Sequence, residues 1–450
     1  MSPEIMTAMM FGLLILFILT GIPLAFALAA TATITGLIDY GFNIPALAGV
    51  FMNNTWGVMN NFVIVAVPLF IMMAQLLECS QISEALFEAL YIVIGKVNGG
   101  LAIAVILVCV ILAATTGIVG ASVVGMTLLA VPTMLEKGYN KEMVAGLVCS
   151  GGTLGILIPP SIMLVVYGGL TGLKETSVGN LFAGAVFPGL ILAGLYLVYV
   201  WVRCTLNPKL GPPISDEEAL KYSAKDKLLM TVKSLIPPLF LIFSLMGSIL
   251  GGVATPSEAA ALGVIGAAIL AAFYRKLSWD VIRQSSYNTL KITSMVMLLF
   301  VGGNLFSSEF LAIGGGDVIT DMLVGGALKD YPLIVLTIML SAVFVLGMFI
   351  DWVAILLITI PVFTPISMDL GFDPLWFSML VCVMLQTSFL TPPFGYALFY
   401  FAGAAPAGRY DMLSIYKGVV PFVILQIIGV ILCIIFPSLI TYLPAIFFGK

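Results

Sequence analysis

A regular helix cannot run through the stretch Gly151-Gly152-Thr153-Leu154-Gly155-Ile156-Leu157-Ile158-Pro159-Pro160-Ser161, although the sequence on both sides is apolar. Its three glycines loosen the backbone, and Pro160 disfavours helical geometry at Pro159. Because neither proline has an N–H group, nearby carbonyl oxygens lose their helical partners. In a membrane such oxygens must be buried in protein, reached by water or bound to a ligand. The stretch predicts a broken membrane helix able to hold a cation, whereas a simple proline kink would be the plainer interpretation of one isolated break.

The same break occurs a second time, 233 residues later (392 minus 159), in Gln386-Thr387-Ser388-Phe389-Leu390-Thr391-Pro392-Pro393. The same offset relates further pairs: Pro132 and Pro365, Gly138 and Gly371, Asn140 and Asp373, Pro188 and Pro421, and, much farther away, Pro23 and Pro256. Two copies of one unit, each with a broken helix at the same place, are typical of a transporter built from internal repeats.

The composition is that of a helical membrane protein that crosses the bilayer about ten times or more. Of 450 residues, 61% are hydrophobic and only 9% are charged, whereas a soluble chain would carry about a quarter charged residues. Histidine is absent, which weakens most enzyme and metal-site hypotheses. The sequence has no basic patch of the kind that binds nucleic acid. The six cysteines have no paired spacing, so we interpret them as packing residues.

Small and polar residues interrupt the apolar sequence from Thr115 to Gly125, shortly before the first break. The segment is too short to leave the membrane and return, so we expect a re-entrant hairpin whose tip is surrounded by protein. A helix face of small packing residues is the alternative. The second half has a matching feature from Leu346 to Asp351. Asp351 is an acid in an apolar run, which is costly and therefore usually functional.

The long polar stretch from Arg203 to Lys233 is rich in basic residues, so the positive-inside rule places it in the cytoplasm. We predict a first inverted repeat at residues 1–205, a cytoplasmic linker at 206–233 and a second inverted repeat at 234–450. Each repeat contains apolar helices, one hairpin and one broken helix; the family resemblance described below implies that the remaining helices form a scaffold. Thr255 and Glu258 have the spacing of a helix capping box. The polar residues between Asn304 and Asp317 either line a cavity or form a loop.

Several of these segments resemble the large membrane subunit (DctM type) of tripartite ATP-independent periplasmic (TRAP) transporters. The resemblance covers most of the chain and rests on four motifs in family order: Gly117-Ile118-Val119-Gly120, Gly152 to Ser161, Thr255-Pro256-Ser257-Glu258-Ala259-Ala260 and Leu390-Thr391-Pro392-Pro393-Phe394-Gly395. It implies an all-α polytopic membrane protein of two inverted repeats, with re-entrant hairpins and broken helices, that works as an elevator-type transporter.

The resemblance also implies a function and partners. We expect sodium-coupled secondary active uptake of a small organic acid across the bacterial inner membrane. A periplasmic binding protein (DctP type) would deliver the substrate, and a small four-helix membrane subunit (DctQ type) would join this chain in the bilayer.

Sodium prefers several hard oxygen ligands, most of them neutral, and both breaks offer such groups. The candidate residues in the first half are Gly117, Gly120, Gly152, Gly155 and Pro159 through their carbonyl groups, and Ser122 and Thr153 through their hydroxyl groups. The candidates in the second half are Gly347, Asp351, Thr387, Ser388, Thr391 and Pro392. The substrate should lie between the hairpin tips, where the N-termini of half-helices face a carboxylate.

Three alternatives remain at this point. One is an ion-coupled carrier of organic anions with a similar fold that works alone. Another is an intramembrane enzyme, which would need a nucleophile with a base or a metal cluster, and neither occurs at a useful spacing. A channel would need a repeated selectivity filter, and nothing resembles one.

Overall fold

The computed structural model describes residues 1–80, 82–117, 119–214, 223–393 and 395–449. Within these ranges the regular structure is helical, as predicted. The first half contains α1 (Pro3–Leu19), α2 (Leu24–Asp39), α3 (Ile44–Met59), α4 (Ala66–Cys79), α5 (Ile82–Ile94), α6 (Gly100–Thr116), α7 (Val119–Glu136), α8 (Lys141–Thr153), α9 (Ile162–Thr171) and α10 (Val178–Leu206). The second half contains α11 (Ala224–Leu250), α12 (Pro256–Phe273), α13 (Trp279–Ala312), α14 (Gly315–Val324), α15 (Pro332–Gly347), α16 (Trp352–Asp369), α17 (Pro374–Ser388), α18 (Tyr396–Ala404), α19 (Met412–Ile435) and α20 (Ser438–Phe448). Three short 3₁₀ turns cover Leu154–Ile156, Pro208–Leu210 and Gly326–Asp330.

Seven of these helices are long and apolar enough to cross a membrane: α7, α10, α11, α12, α13, α16 and α19. An eighth span is formed if α4 and α5, whose axes differ by 60°, are taken as one bent pair. Seven shorter apolar helices accompany them in the described part of the chain. The prediction of a polytopic helical membrane protein is therefore confirmed.

The offset of 233 residues holds for local geometry as well as for sequence. Helix α7 begins and ends 233 residues before α16 (352 minus 119, 369 minus 136). Gly138 and Gly371 follow these two helices with φ angles of 78° and 79°, a left-handed conformation that suits glycine. Asn140 and Asp373 then accept backbone hydrogen bonds at the starts of α8 and α17. The segment from α7 to the start of α8 is thus repeated in helix, turn and cap by the segment from α16 to the start of α17.

The two halves also exchange equivalent contacts. Helix α4 of the first half packs along α12 of the second, and the part of α13 equivalent to α4 packs along α2, the equivalent of α12. Glycine permits the close approach, because a Cβ at Gly302 in α13 would lie 2.3 Å from the carbonyl oxygen of Ala25 in α2. At the other contact, a Cβ at Gly263 would lie 2.7 Å from the sulfur of Met73. Reciprocal contacts of this kind are expected of two copies related by an approximate twofold axis.

The helices of the second half decide two predictions, the capping box at Thr255 and the place of the polar residues that follow Asn304. Thr255 and Glu258 form the predicted capping box at the start of α12. The polar residues Asn304, Ser307 and Ser308 belong to the continuous helix α13 and line a cavity, so they do not form a loop.

The beginning of the predicted linker is tied to neighbouring loops by backbone hydrogen bonds. The Gly99 nitrogen donates to the Gly211 carbonyl at 2.9 Å, and the Asn140 nitrogen donates to the Leu210 carbonyl at 3.0 Å. This part of the linker therefore rests against the loops before α6 and before α8. Residues 215–222 of the linker lie outside the described residues, as do Ile118 in the first hairpin tip and Phe394 after the second break.

Candidate functional site

The first break has the irregular backbone that its sequence predicts. Helix α8 ends at Thr153, a 3₁₀ turn follows, the Pro159–Pro160 bond is cis, and α9 begins after Ser161. The Ser161 hydroxyl donates to the Ile156 carbonyl and accepts from the Leu164 nitrogen, so one freed carbonyl regains a partner. The Gly155 carbonyl cannot receive the usual helical hydrogen bond, because the residue four positions later is Pro159.

The first hairpin, formed by α6 and α7, encloses this break. A Cβ at Gly151 would lie 2.7 Å from the sulfur of Cys109 in α6, and one at Gly152 would lie 3.1 Å from the backbone nitrogen of Val123 in α7. Because both glycines lack side chains, α8 fits between the two arms of the hairpin. At the tip, Gly117 has a φ angle of 59° and contacts the start of α9 at Ile162.

Thr153 belongs to a fully buried polar cluster between α8 and α19. Its hydroxyl donates to the Ser150 carbonyl at 2.9 Å and accepts from the side-chain nitrogen of Gln426 at 3.4 Å. Because the Thr153 hydroxyl donates its proton to the Ser150 carbonyl, it can only accept from Gln426. The amide of Gln426 therefore turns its NH₂ group, and not its oxygen, toward Thr153. The carbonyl oxygen of Gln426 makes no other hydrogen bond of good geometry among the described residues, and the buried Tyr196 hydroxyl interacts with the same amide. Gln426 therefore places a buried, neutral amide beside the first break.

The second break has its own hydroxyl groups and is packed against the second hairpin, formed by α15 and α16. The Thr387 hydroxyl donates to the Met384 carbonyl at 2.6 Å, and the Thr391 hydroxyl donates to the Thr387 carbonyl at 2.7 Å. Ser388 donates to the Phe344 carbonyl in α15 at 3.3 Å, and a Cβ at Gly347 would lie 2.3 Å from the Ser388 hydroxyl.

The prolines of the two breaks have the same bond geometry and different surroundings. The Pro392–Pro393 bond is cis, as at the first break. Pro392 is exposed, whereas Pro159 is buried. The equivalent breaks therefore occupy unequal environments in this structure.

Both hairpin tips and both breaks meet at one small central cavity of about 90 Å³. Helices α4 and α13 close its other side. Its lining residues are Ile71, Gly117, Val119, Gly120, Ile162, Ile292, Met295, Val296, Asp351, Trp352, Val353, Phe389, Tyr396 and Tyr400. Of the predicted candidates, Gly117, Gly120 and Asp351 line this cavity.

Asp351 caps helix α16 at the tip of the second hairpin. Its carboxylate accepts from the Val353 nitrogen at 3.2 Å. On the facing side, a Cβ at Gly120 would lie 3.0 Å from the ring of Tyr400 in α18. The tip of the first hairpin is thus in contact with the second broken helix.

Two further cavities flank the hairpins at related positions. A cavity of about 730 Å³ lies between α13 and α16, and its lining includes Leu311 and Pro361. A cavity of about 300 Å³ lies between α4 and α7, and its lining includes their equivalents, Glu78 and Leu128. Ser122, a predicted sodium ligand, lines the smaller of these two cavities.

The predicted site residues thus fall into three places. Gly117, Gly120 and Asp351 line the central cavity. The residues buried at or against the breaks are Gly152, Thr153, Gly155, Pro159, Gly347, Thr387 and Ser388, and Thr391 and the exposed Pro392 adjoin them. Ser122 lines a different cavity, between α4 and α7.

The sequence analysis did not predict the aromatic wall of the cavity, formed by Trp352, Phe389, Tyr396 and Tyr400. The spacing of Tyr396 and Tyr400 could have indicated a shared aromatic surface, because residues four apart after a break lie on one helix face.

Acidic and sulfur ligands are not grouped in the way a transition-metal centre requires. No group of three or more Cys, Asp or Glu side chains occurs within the described ranges. Five of the six cysteines are buried, and Cys79 is half-buried. The oxygen groups at the breaks and hairpin tips are carbonyls, hydroxyls and one carboxylate, ligands that suit hard cations.

Comparison with protein families gives a match over nearly the whole chain. Residues 11–439 match the family described as "Tripartite ATP-independent periplasmic transporter, DctM component".

Individual proteins show the same likeness. The chain is 29% identical to the C4-dicarboxylate TRAP transporter large permease protein DctM of Vibrio cholerae, with 98% of each chain covered. It is also 29% identical to the ectoine TRAP transporter large permease protein TeaC of Halomonas elongata, again with 98% of each covered. Among solved structures, the YdaH transporter of Alcanivorax borkumensis has a similar fold, with a TM-score of 0.64, 15% identity and coverage of 89% of this chain and 90% of that one.

Proposed function

This chain belongs to the DctM component family of TRAP transporters, and from that premise we propose that it carries out sodium-coupled uptake of a small organic acid by an elevator mechanism. As a member of this family it is a multi-pass membrane permease and not an enzyme. The observation that carries the proposal is the central cavity, where two hairpin tips and two helix breaks meet against the scaffold helices.

The substrate would bind in this cavity, at the ends of half-helices. Helices α7, α9, α16 and α18 all begin at or next to it, with Val119, Ile162, Trp352 and Tyr396 among its lining residues. The N-terminus of a helix carries a partial positive charge and unpaired N–H groups, so it favours an anion. An organic acid is therefore the substrate class that suits this geometry.

Sodium ions would bind at the two breaks, one in each half. Neutral oxygens predominate there: the Gly155 carbonyl lacks its usual helical N–H partner, and the Gln426 amide is buried next to Thr153. Asp351 supplies the one carboxylate at the hairpin tips. Bound sodium would hold the hairpins against the breaks and so create the pocket for the substrate.

Movement across the membrane would separate the chain into a scaffold and a mobile part. We assign α1–α5 and α11–α14 to the scaffold, and the hairpins with the broken helices and α10 and α19 to the mobile part. The repeats would comprise residues 1–205 and 234–450, with the linker 206–233 in the cytoplasm. The inner membrane location, the DctQ-type subunit and the DctP-type binding protein follow from the family and belong to the same proposal.

A first prediction concerns the complete system. Proteoliposomes that contain this chain, its small membrane subunit and its binding protein should accumulate substrate when a sodium gradient is imposed. Liposomes with this chain alone should not, because the proposed capture of the substrate belongs to the separate binding protein. Sodium-driven accumulation by the chain alone would contradict the partner assignment and favour a stand-alone carrier.

A second prediction concerns Asp351. Asparagine is also a good N-cap, so Asp351→Asn should leave the start of α16 and the thermal stability of the protein nearly unchanged. Loss of the charge should lower sodium-dependent uptake by about tenfold or more, since a contact to a charged group is worth about 1.5–3 kcal/mol. Asp351→Ala, which loses the cap as well, is the matched comparison. Normal uptake in the Asn variant together with low stability in the Ala variant would limit Asp351 to capping.

A third prediction compares the two breaks. Thr153→Ala and the double variant Thr387→Ala/Ser388→Ala should each raise the sodium concentration needed for half-maximal uptake by about ten- to a hundred-fold. Thr153→Ser, which keeps the hydroxyl toward Ser150 and Gln426, serves as the control. Uptake is measured against sodium concentration at fixed membrane potential. Unchanged sodium curves in both variants would mean that carbonyl groups alone form the ion sites or that the breaks serve only as hinges.

A further inference from the structure

We propose that the first part of α13, residues 279–292, binds the headgroup of an anionic phospholipid in the cytoplasmic leaflet of the membrane. These residues are called the arm below. The inference concerns a lipid site and goes beyond the transport function; only the cytoplasmic placement of the arm rests on the topology proposed above.

Helix α13 is too long to stand wholly within the hydrocarbon core of a bilayer. Its 34 residues span about 51 Å at 1.5 Å per residue, whereas the core is about 30 Å thick. An upright helix of this length would leave about 14 residues outside the core. The charged residues Asp280, Arg283 and Lys291 all belong to the arm, so the arm is the end that suits the membrane surface.

One face of the arm is fixed to α4 by hydrogen bonds. The buried Ser285 hydroxyl donates to the Gln75 carbonyl at 3.2 Å, and the Asn288 side-chain nitrogen donates to the Gln75 side-chain oxygen at 2.8 Å. The Gln75 side-chain nitrogen in turn donates to the Glu78 carboxylate at 2.9 Å. The arm therefore has a defined rotation about its own axis, and its opposite face points away from α4.

The outward face of the arm alternates aromatic and basic side chains. Trp279, Arg283, Tyr287 and Lys291 follow one another at intervals of four residues, so they lie along one face of the helix. All four are exposed, Trp279 to 76% and Tyr287 to 65%. Arg283 and Lys291 form no ion pair within the described ranges. Exposed aromatic and basic residues on one helix face are typical of a helix at the level of the lipid headgroups.

An open recess of about 680 Å³ lies between the arm and the end of α4. Its lining residues are Cys79, Asp280, Val281, Arg283, Gln284 and Tyr287. This volume is within the range of about 300–1,000 Å³ that is usual for small-molecule sites. The Arg283 guanidinium suits a phosphate group, and the Asp280 carboxylate can accept hydrogen bonds from hydroxyl groups. A phosphate that carries a glycerol group, as in phosphatidylglycerol, fits this pair of side chains.

The charge around the recess favours an anionic lipid over a neutral one. Four basic residues and one acidic residue between positions 275 and 291 give a net charge of +3: Arg275, Lys276, Arg283 and Lys291 against Asp280. A basic residue near an anionic membrane surface strengthens binding by about fivefold. The Tyr274 hydroxyl donates to the Lys233 carbonyl of α11, which joins the preceding loop to the helix that follows the cytoplasmic linker.

The equivalent arm of the first half, residues 46–59, shows that the fold does not require this face. Both arms follow a turn in which a non-glycine residue has a positive φ angle, 63° at Phe42 and 56° at Arg275, 233 residues apart. The positions equivalent to the four outward residues of the arm are uncharged, and none of them is exposed: Ala46, Val50, Asn54 and Val58. The charged face therefore belongs to one side of the membrane only.

The test is a competition for binding to the purified full-length chain, followed by native mass spectrometry. Dioleoylphosphatidylglycerol competes with dioleoylphosphatidylcholine, which has the same acyl chains and no net charge. We expect phosphatidylglycerol to be retained preferentially. Dioleoylphosphatidylethanolamine should compete less well than phosphatidylglycerol, because its ammonium group compensates the phosphate.

Variants of the arm locate the preference. Arg283→Gln/Lys291→Gln should lower the preference for phosphatidylglycerol by about 25-fold, fivefold for each charge. Arg283→Lys/Lys291→Arg keeps both charges and should keep the preference. Lys209→Gln/Lys225→Gln removes two exposed charges outside the arm, on the same side in the proposed topology, and is the matched control. It should leave the preference unchanged.

Four outcomes would overturn the inference. The native chain could show no preference for phosphatidylglycerol, or could bind phosphatidylethanolamine equally well. The control variant could lose as much preference as the arm variant, which would mean that overall charge and not the arm decides. Glycerol 3-phosphate could displace the lipid at equal concentration, which would make the recess a site for soluble phosphates. Each of these results leaves sodium-coupled uptake untouched, because the assay measures lipid binding in the absence of transport.

Discussion

Every polar backbone group inside a membrane must have a partner, and the two proline breaks create groups that lack one. The surrounding structure satisfies that requirement. Hairpin arms close around the breaks through the glycines at 151, 152 and 347, which allow contact at the distance of the backbone itself. The Ser161 hydroxyl donates to one freed carbonyl, that of Ile156. The hairpins, their glycines and the cavity between their tips are therefore all consequences of interrupting two helices.

The two copies of the hairpin with its broken helix have different surroundings in this structure. The central cavity is closed by Ile71 of α4 and by Ile292 to Val296 of α13. Their repeat equivalents, Asn304 and Met59 to Val63, are not among its described lining residues. The flanking cavities differ as well, about 730 Å³ beside α16 and about 300 Å³ beside α7. Exchanging the conformations of the two halves would produce a second structure of similar packing, which is the physical basis of the proposed elevator movement.

Much of this architecture was predictable because it depends on local chemistry. Proline without an N–H group, glycine at a positive φ angle and Asn140 or Asp373 as a helix cap each act through neighbours in sequence. The same residues recur at one offset, which made the repeat visible.

The composition of the site was less predictable because it depends on distant contacts. Gln426 reaches Thr153 across 273 residues, and no local pattern announces that pair. Ser122 has the right chemistry but lies on another face of α7 than Gly120, since two residues of helix turn a side chain by about 200°. Trp352 and Phe389 look like ordinary membrane packing until the cavity that they line is seen, whereas the four-residue spacing of Tyr396 and Tyr400 is visible in the sequence.

The elevator proposal is tested most directly by a cross-link that the present arrangement does not favour. Trp352 and Met295 both line the central cavity, whereas Trp352 and Asn304 would face each other only after the halves exchange conformations. Each pair is replaced by cysteines in a variant lacking the six native ones, and cross-linking is followed in membranes with and without sodium. An elevator movement would allow both pairs to cross-link, with a ratio that sodium and substrate change, and either cross-link would stop uptake until it is reduced. Cross-linking of the 352–295 pair alone under all conditions, with uptake unaffected, would contradict it.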